Sequence, residues 1–181
     1  MASLPYAQLT STLEKMLEKI QTASVPEKFS QDFVSSKLMM KGGNGRSAIP
    51  FVKKMGLVGP DGTPTDRYKE FRNTSKSGIA IAAAMRELYE PLFEMNEYVY
   101  DLDPTDLKGL VVEETGSEAN STIVKKVLST FQSLRKLADF EPLASQQVED
   151  EMPRVSKEAE ALPTAPLYQH SQKQQSAGNE G

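Results

Sequence analysis

The chain has 181 residues, 38% of them hydrophobic and 25% charged, with 21 Lys/Arg against 25 Asp/Glu, a single histidine and neither cysteine nor tryptophan. Lack of sulfur ligands excludes disulfide scaffolds, thiolate zinc sites and cysteine nucleophiles, and His170, alone in a polar stretch, excludes a Ser-His-Asp triad or an imidazole metal cluster. No run approaches the roughly 18 apolar residues of a membrane span, and Met1-Ala2-Ser3-Leu4-Pro5 lacks the basic and apolar regions of a secretory signal, so the expectation is a chain of the reducing cytoplasm without a membrane partner.

Ser11-Thr12-Leu13-Glu14 reads as a capping box that opens a first helix running to about Gln21, with Leu13, Met16, Leu17 and Ile20 on its buried face. Val25-Pro26 breaks it, because the residue before proline is pushed out of the helical region. A short second helix follows from a Ser30 cap and buries Phe33, Val34 and Leu38. Gly42-Gly43-Asn44-Gly45 reads as a turn joining two helices; the alternative is that its amides, with Arg46, cradle a phosphate before a helix N-terminus, although it has neither the Gly-Lys-Ser/Thr ending of a phosphate-binding loop nor the setting of a dinucleotide fingerprint. Ser47 then caps a third helix with Pro50 in its first turn and Ile49, Val52 and Met55 buried, and Gly56 ends it in the left-handed conformation.

Leu57 to Thr65 reads as a short β-hairpin, with Pro60 presetting the turn, Gly62 accepting positive φ and Pro64 confining the second strand to an edge. Three helices closed by a hairpin is the winged-helix arrangement, which offers its third helix to a DNA major groove. Asp66 to Phe71 forms a turn or two of helix, Lys76 to about Glu90 a longer helix around Ile79, Ala82, Met85 and Tyr89, and Pro91 kinks or restarts the chain. Asp103-Pro104 opens a further helix around Leu107, Leu110 and Val111. The last helix starts at Ser117 or Asn120, and its stripe from Ile123 to Leu137 is amphipathic enough to pack on the body or on a second copy. Beyond it, four of the eleven prolines and scattered apolar residues predict a disordered tail. The expected architecture is mainly α: a winged-helix-like domain with a short hairpin at 1–74, a helical support or dimerisation region at 75–140, and the tail at 141–181.

Charge is unevenly placed. Residues 36–76 hold nine Lys/Arg against three Asp/Glu, residues 77–120 hold two against ten, and the stretch from Phe140 holds three against seven. A basic surface is the usual footprint of a polyanion site, although two opposed segments can also pair with each other.

Some of these residues carry a resemblance. Asn44-Gly45-Arg46, Ile49-Pro50-Phe51, the run Gly62-Thr63-Pro64-Thr65-Asp66-Arg67-Tyr68-Lys69-Glu70-Phe71-Arg72 and the closing Ser129 to Phe140 (STFQSLRKLADF) resemble a bacterial and archaeal family, domain of unknown function 5343. The resemblance spans about Leu9 to Phe140 and implies a winged-helix-like beginning, with no established activity. Pro91 and the tail depart from the pattern.

The charge pattern and the expected fold nominate Arg46, Ser47, Lys53 and Lys54 on the third helix as contacts to duplex DNA, with Arg67, Lys69 and Arg72 adding backbone contacts. Lys53 and Lys54 are expected to be exposed, while pairing of Arg67 and Arg72 with the acidic segment is the preferred alternative for those two. No metal set, cofactor motif or nucleophile and base pair is expected, since the acidic residues between Asp101 and Glu118 lack calcium-loop spacing. The functional expectation is therefore a non-enzymatic DNA-binding or regulatory module. The alternative is a protein-interaction adaptor that keeps the same shape without nucleic acid, either form being able to pair with a partner or a second copy through the terminal helix.

Overall fold

A computed structural model of the chain describes residues 3–141. Their apolar spacing condenses into α1 (Thr10–Thr22), α2 (Gln31–Ser36), α3 (Gly43–Lys54), α4 (Asp66–Arg72), α5 (Ser77–Leu88), α6 (Glu90–Met95), a 3₁₀ turn (Val99–Asp101), α7 (Pro104–Thr115) and α8 (Thr122–Arg135). The expected tail, apart from Glu141, lies outside the described residues, as does His170. α1 packs against α3, α4 and α8, and α5 packs against α4, α6 and α8, so these two helices line the middle of the bundle. One cluster of buried apolar side chains runs from Leu4 through Leu17, Val52, Tyr68, Met85 and Phe131 to Phe140.

Several helix starts follow from side-chain oxygens that accept orphan backbone amides. Ser30 accepts from Phe33, Thr65 from Tyr68, Asp103 from Thr105 and Asp106, and Ser121 from Val124. The Asp103 carboxyl is held below the usual carboxylate range by the amides of Asp106 and Thr105. Pro91 restarts the chain as α6 immediately after α5, where its missing N–H costs nothing.

The hairpin and the winged-helix arrangement are corrected. Among the described residues no strand forms; Leu57 to Thr65 closes through a single antiparallel bridge between Val58 and Pro64. Two local features stop the ladder. Asp61 accepts the backbone N–H of Thr63 at 3.1 Å and its hydroxyl at 2.5 Å, folding the tip on itself, and Pro64 has no N–H to give a second strand. That side-chain hydroxyl holds the Asp61 carboxyl below its ordinary value. The segment is a tight loop tied down by Thr65 N–H to the Leu57 carbonyl at 3.0 Å and by Phe29 N–H to the Gly62 carbonyl at 2.7 Å. It is not a wing.

Two further starts differ from expectation. α1 begins at Thr10 with Leu9 as an N-cap that offers no side chain, so Ser11 lies inside the first turn and Glu14 instead accepts a hydrogen bond from Ser133 Oγ. α3 begins four residues before Ser47, and Pro50 falls in its eighth position. The missing amide of Pro50 leaves the Arg46 carbonyl without its helical donor. Ser47 Oγ donates to the Asn44 carbonyl at 2.8 Å, a mid-helix bond and not a cap. Gly56 does end this stretch, at φ 69°.

Tyr68 is fully covered, edge-on to Phe29 at 6.1 Å, and its hydroxyl meets no acceptor or donor. Burial pushes that phenol up to about 12. An unfolded tyrosine ionises near pH 10, so the folded state loses stability as pH rises from there through the folded value. Tyr68→Phe should therefore raise stability at neutral pH by about 1 kcal/mol, because it removes a buried polar atom that has lost its water. It should also flatten the alkaline decline. Urea titrations at pH 7 and pH 11 check both; a loss of 1 kcal/mol or more at pH 7 would show that the hydroxyl has a partner.

Candidate nucleic-acid interface

The seven nominated side chains do not share one surface. Lys53 is half-buried and its ammonium donates to the Pro60 carbonyl at 3.0 Å, holding the 57–65 loop to α3. Lys69 pairs with Asp66 at 2.9 Å on the solvent side of α4. Arg67 reaches two groups through three oxygens: its Nη1 donates to the Met55 carbonyl at 2.9 Å and to Glu87 Oε2 at 2.8 Å, and its Nη2 closes on Glu87 Oε1. The end of α3, α4 and α5 are thereby joined. A Cβ on Gly56 would stand 2.5 Å from Arg67 Nη1, so the left-handed glycine also clears the space this arginine crosses.

The Arg67 guanidinium holds the Glu87 carboxyl below its ordinary range. The pair stabilises the fold above the usual glutamate value and is lost as pH falls through the folded one. With the Glu87 side chain 63% exposed, its worth is under about 1 kcal/mol. Arg72 is half-buried, and its Nε has no acceptor. Ser47 is taken up by its own helix.

Arg46 and Lys54 are exposed and enter no ion pair among the described residues, but they line separate crevices. Lys54 faces the N-terminal segment across Pro50 and Phe51. Arg46 looks onto α2, beside Gln31 and Asp32.

A surface around the start of α3 joins Arg46 and Lys41 of the basic segment to two lysines outside it, Lys15 and Lys19. Gly42, at φ 87° and ψ −173°, turns the chain into a 12-residue helix whose first amides no side chain caps. These carry the positive end of the helix dipole. On one side lies a crevice of about 520 Å³ lined by Lys15 and Lys19 of α1, by Met39 and Lys41, and by Asn44 and Gly45 of α3. On the other lies the crevice holding Arg46 and Gly42. None of Lys15, Lys19, Lys41 or Arg46 enters an ion pair among the described residues. Met39 projects here from a left-handed backbone at φ 54° and is 64% exposed.

A signal for Lys15 and Lys19 existed: spaced four apart, they share one face of α1. Glu14 and Glu18 precede them by one residue each, so any count along the sequence cancels, whereas the helix sends the glutamates to a different crevice. The arrangement can hold an anion's oxygens between backbone amides and ammonium groups.

The model of the family of unknown function DUF5343 matches residues 5–145. No curated protein and no solved structure matches the chain.

Proposed function

From a chain that belongs to the DUF5343 family of unknown function, and from its surface chemistry, we propose a non-enzymatic DNA-binding module. The contact runs around the start of α3 and not through a wing. The observation that carries this reading is the uncapped first turn of α3 opening between Lys15, Lys19, Lys41 and Arg46, four cations that the described acidic residues leave unpaired. Backbone amides and lysines at such a place take phosphate oxygens, which position a duplex without reading its sequence. Arg46, with five donors in a fork, is the side chain suited to a base edge. Lys53, Arg67 and Lys69 serve the fold instead.

Neutralising about four phosphates gives a slope near −0.9 per contact in log affinity against log salt, so binding should fall roughly a hundredfold between about 50 and 200 mM salt. Fluorescence anisotropy with a labelled duplex measures it. Replacing Lys15, Lys19 and Lys41 together by alanine should remove about three quarters of the slope, while Lys69→Ala, already paired with Asp66, should change nothing. Absence of binding at the lower salt, or a triple variant with the parent slope, would reject the reading.

A further inference from the structure

The cavity between α1, α4, α5 and α8 has no part in the DNA contact, and its lining combines three chemistries. Leu17 and Phe71 form an apolar floor, 1% and 2% exposed, and Leu137 stands at the rim with 43% of its surface in water. Glu14 and Glu18, one helical turn apart, supply carboxylates from the α1 wall, and Lys136 supplies an ammonium from the end of α8. The volume, about 380 Å³, falls in the range of about 300–1,000 Å³ typical of small-molecule sites.

The opposed charges do not close on each other: no ion pair among the described residues joins Lys136 to either glutamate. Glu14 is held in place by Ser133, which is 4% exposed and donates its hydroxyl to Oε1. The rim is fixed as well. Asp139 donates its N–H to the Gly78 carbonyl at 2.9 Å, and a Cβ on Gly78 would stand 2.7 Å from the Asp139 Cβ, so the segment after α8 lies directly on the start of α5. The backbone that carries Lys136 and Leu137 is therefore held by the fold.

We infer that this cavity binds a small zwitterion with an apolar side chain, that is, a free apolar α-amino acid. The ammonium sits toward Glu14 and Glu18, the carboxylate toward Lys136, and the side chain lies over Leu17, Phe71 and Leu137. Each neighbouring ligand class fails on one wall. A phosphate or fatty acid meets two carboxylates, a plain amine leaves Lys136 unanswered, and a hydrocarbon desolvates all three charges without replacing their water.

Isothermal titration of the full chain with L-leucine, L-methionine and L-phenylalanine tests this, with dissociation constants expected on the order of 1 mM for an open site of this size. N-acetyl-leucine, which lacks the ammonium, and isopentylamine, which lacks the carboxylate, should each bind at least about tenfold more weakly than leucine. Glu18→Gln, on an exposed side chain and so harmless to folding, should weaken leucine about tenfold. No heat with any of the three amino acids up to about 10 mM, equal binding of the acetylated compound, or an unchanged Glu18→Gln variant would each overturn the assignment. The DNA titration has no bearing on the outcome, because its cations line other crevices.

Discussion

Phe131→Ala should lower the unfolding free energy by about 4 kcal/mol, the middle of the range for truncating a buried aromatic ring. Phe131 is fully covered on α8 and meets Tyr89, the residue between α5 and α6, edge to face, centroids 5.0 Å apart. Tyr89 in turn is fully buried and donates its hydroxyl to the Pro5 carbonyl at 3.1 Å, and burial pushes its phenol far above the ordinary value. One turn of α8 around Phe131 thus holds α5 and the N-terminal segment together, since neighbouring Thr130 also accepts the Ala7 N–H at 3.0 Å. Truncating the ring removes its transfer free energy and leaves a cavity between helices that are fixed from several directions. Phe131→Leu, which keeps most of the volume, should cost under about 2 kcal/mol, and Tyr98→Ala, 56% exposed, should stay within about 0.5 kcal/mol. Urea denaturation followed by circular dichroism measures all three. An alanine loss no greater than the leucine loss would mean that the site collapses and that the α5–α8 contact is not tightly packed.

What the sequence made legible was governed by local chemistry. Ser30 and Asp103 cap helices because their oxygens sit beside amides a few residues on, and Gly56 takes the left-handed region that a helix end favours. The buried face of α1 follows from its spacing alone. The failures share the opposite cause. Gly43 to Gly45 have poor intrinsic helix preference, so a turn was the local expectation, yet packing of α3 on α2 overrides it. Leu57 to Thr65 has turn residues suited to a hairpin, but the Asp61 side chain takes an amide and Pro64 lacks one, and a strand pattern cannot show which competitor wins. The candidate site divides in the same way. The basic count at 36–76 was real, but a count does not record that Lys53 is held by a carbonyl and Arg67 by a carboxylate twenty residues away. Nor does it record that α1 brings Lys15 and Lys19 to the same crevice as Lys41.

Gly45→Val should cost about 3 kcal/mol, through overpacking and not through lost contacts. Gly45 is buried in the first turn of α3, and a Cβ there would lie 2.5 Å from the Met40 carbonyl, 3.1 Å from the Met40 Cβ and 3.2 Å from Val34 Cγ1. The nearest obstacle is backbone, which cannot rotate away as a side-chain tip can. Met40 is itself anchored by its N–H to the Val34 carbonyl at 3.0 Å, so the loop that carries Met39 and Lys41 has little room to withdraw. Alanine already creates the clash and should lose about 2 kcal/mol, its better helix preference recovering about 1 kcal/mol of the strain; valine adds two methyl groups to a space with none to spare. Gly43→Ala, whose Cβ meets nothing within 4 Å, supplies the control and should be neutral or stabilising. The effect reaches the DNA surface, because whatever shift relieves the clash moves the first amides of α3 relative to Lys15, Lys19 and Lys41. Gly45→Ala, assayed where it is still folded, should therefore weaken duplex binding more than Lys54→Ala does, although only the lysine change removes a charge. The reverse order in the anisotropy assay would place the contact on the C-terminal half of α3, toward the crevice that Lys54 shares with the N-terminal segment.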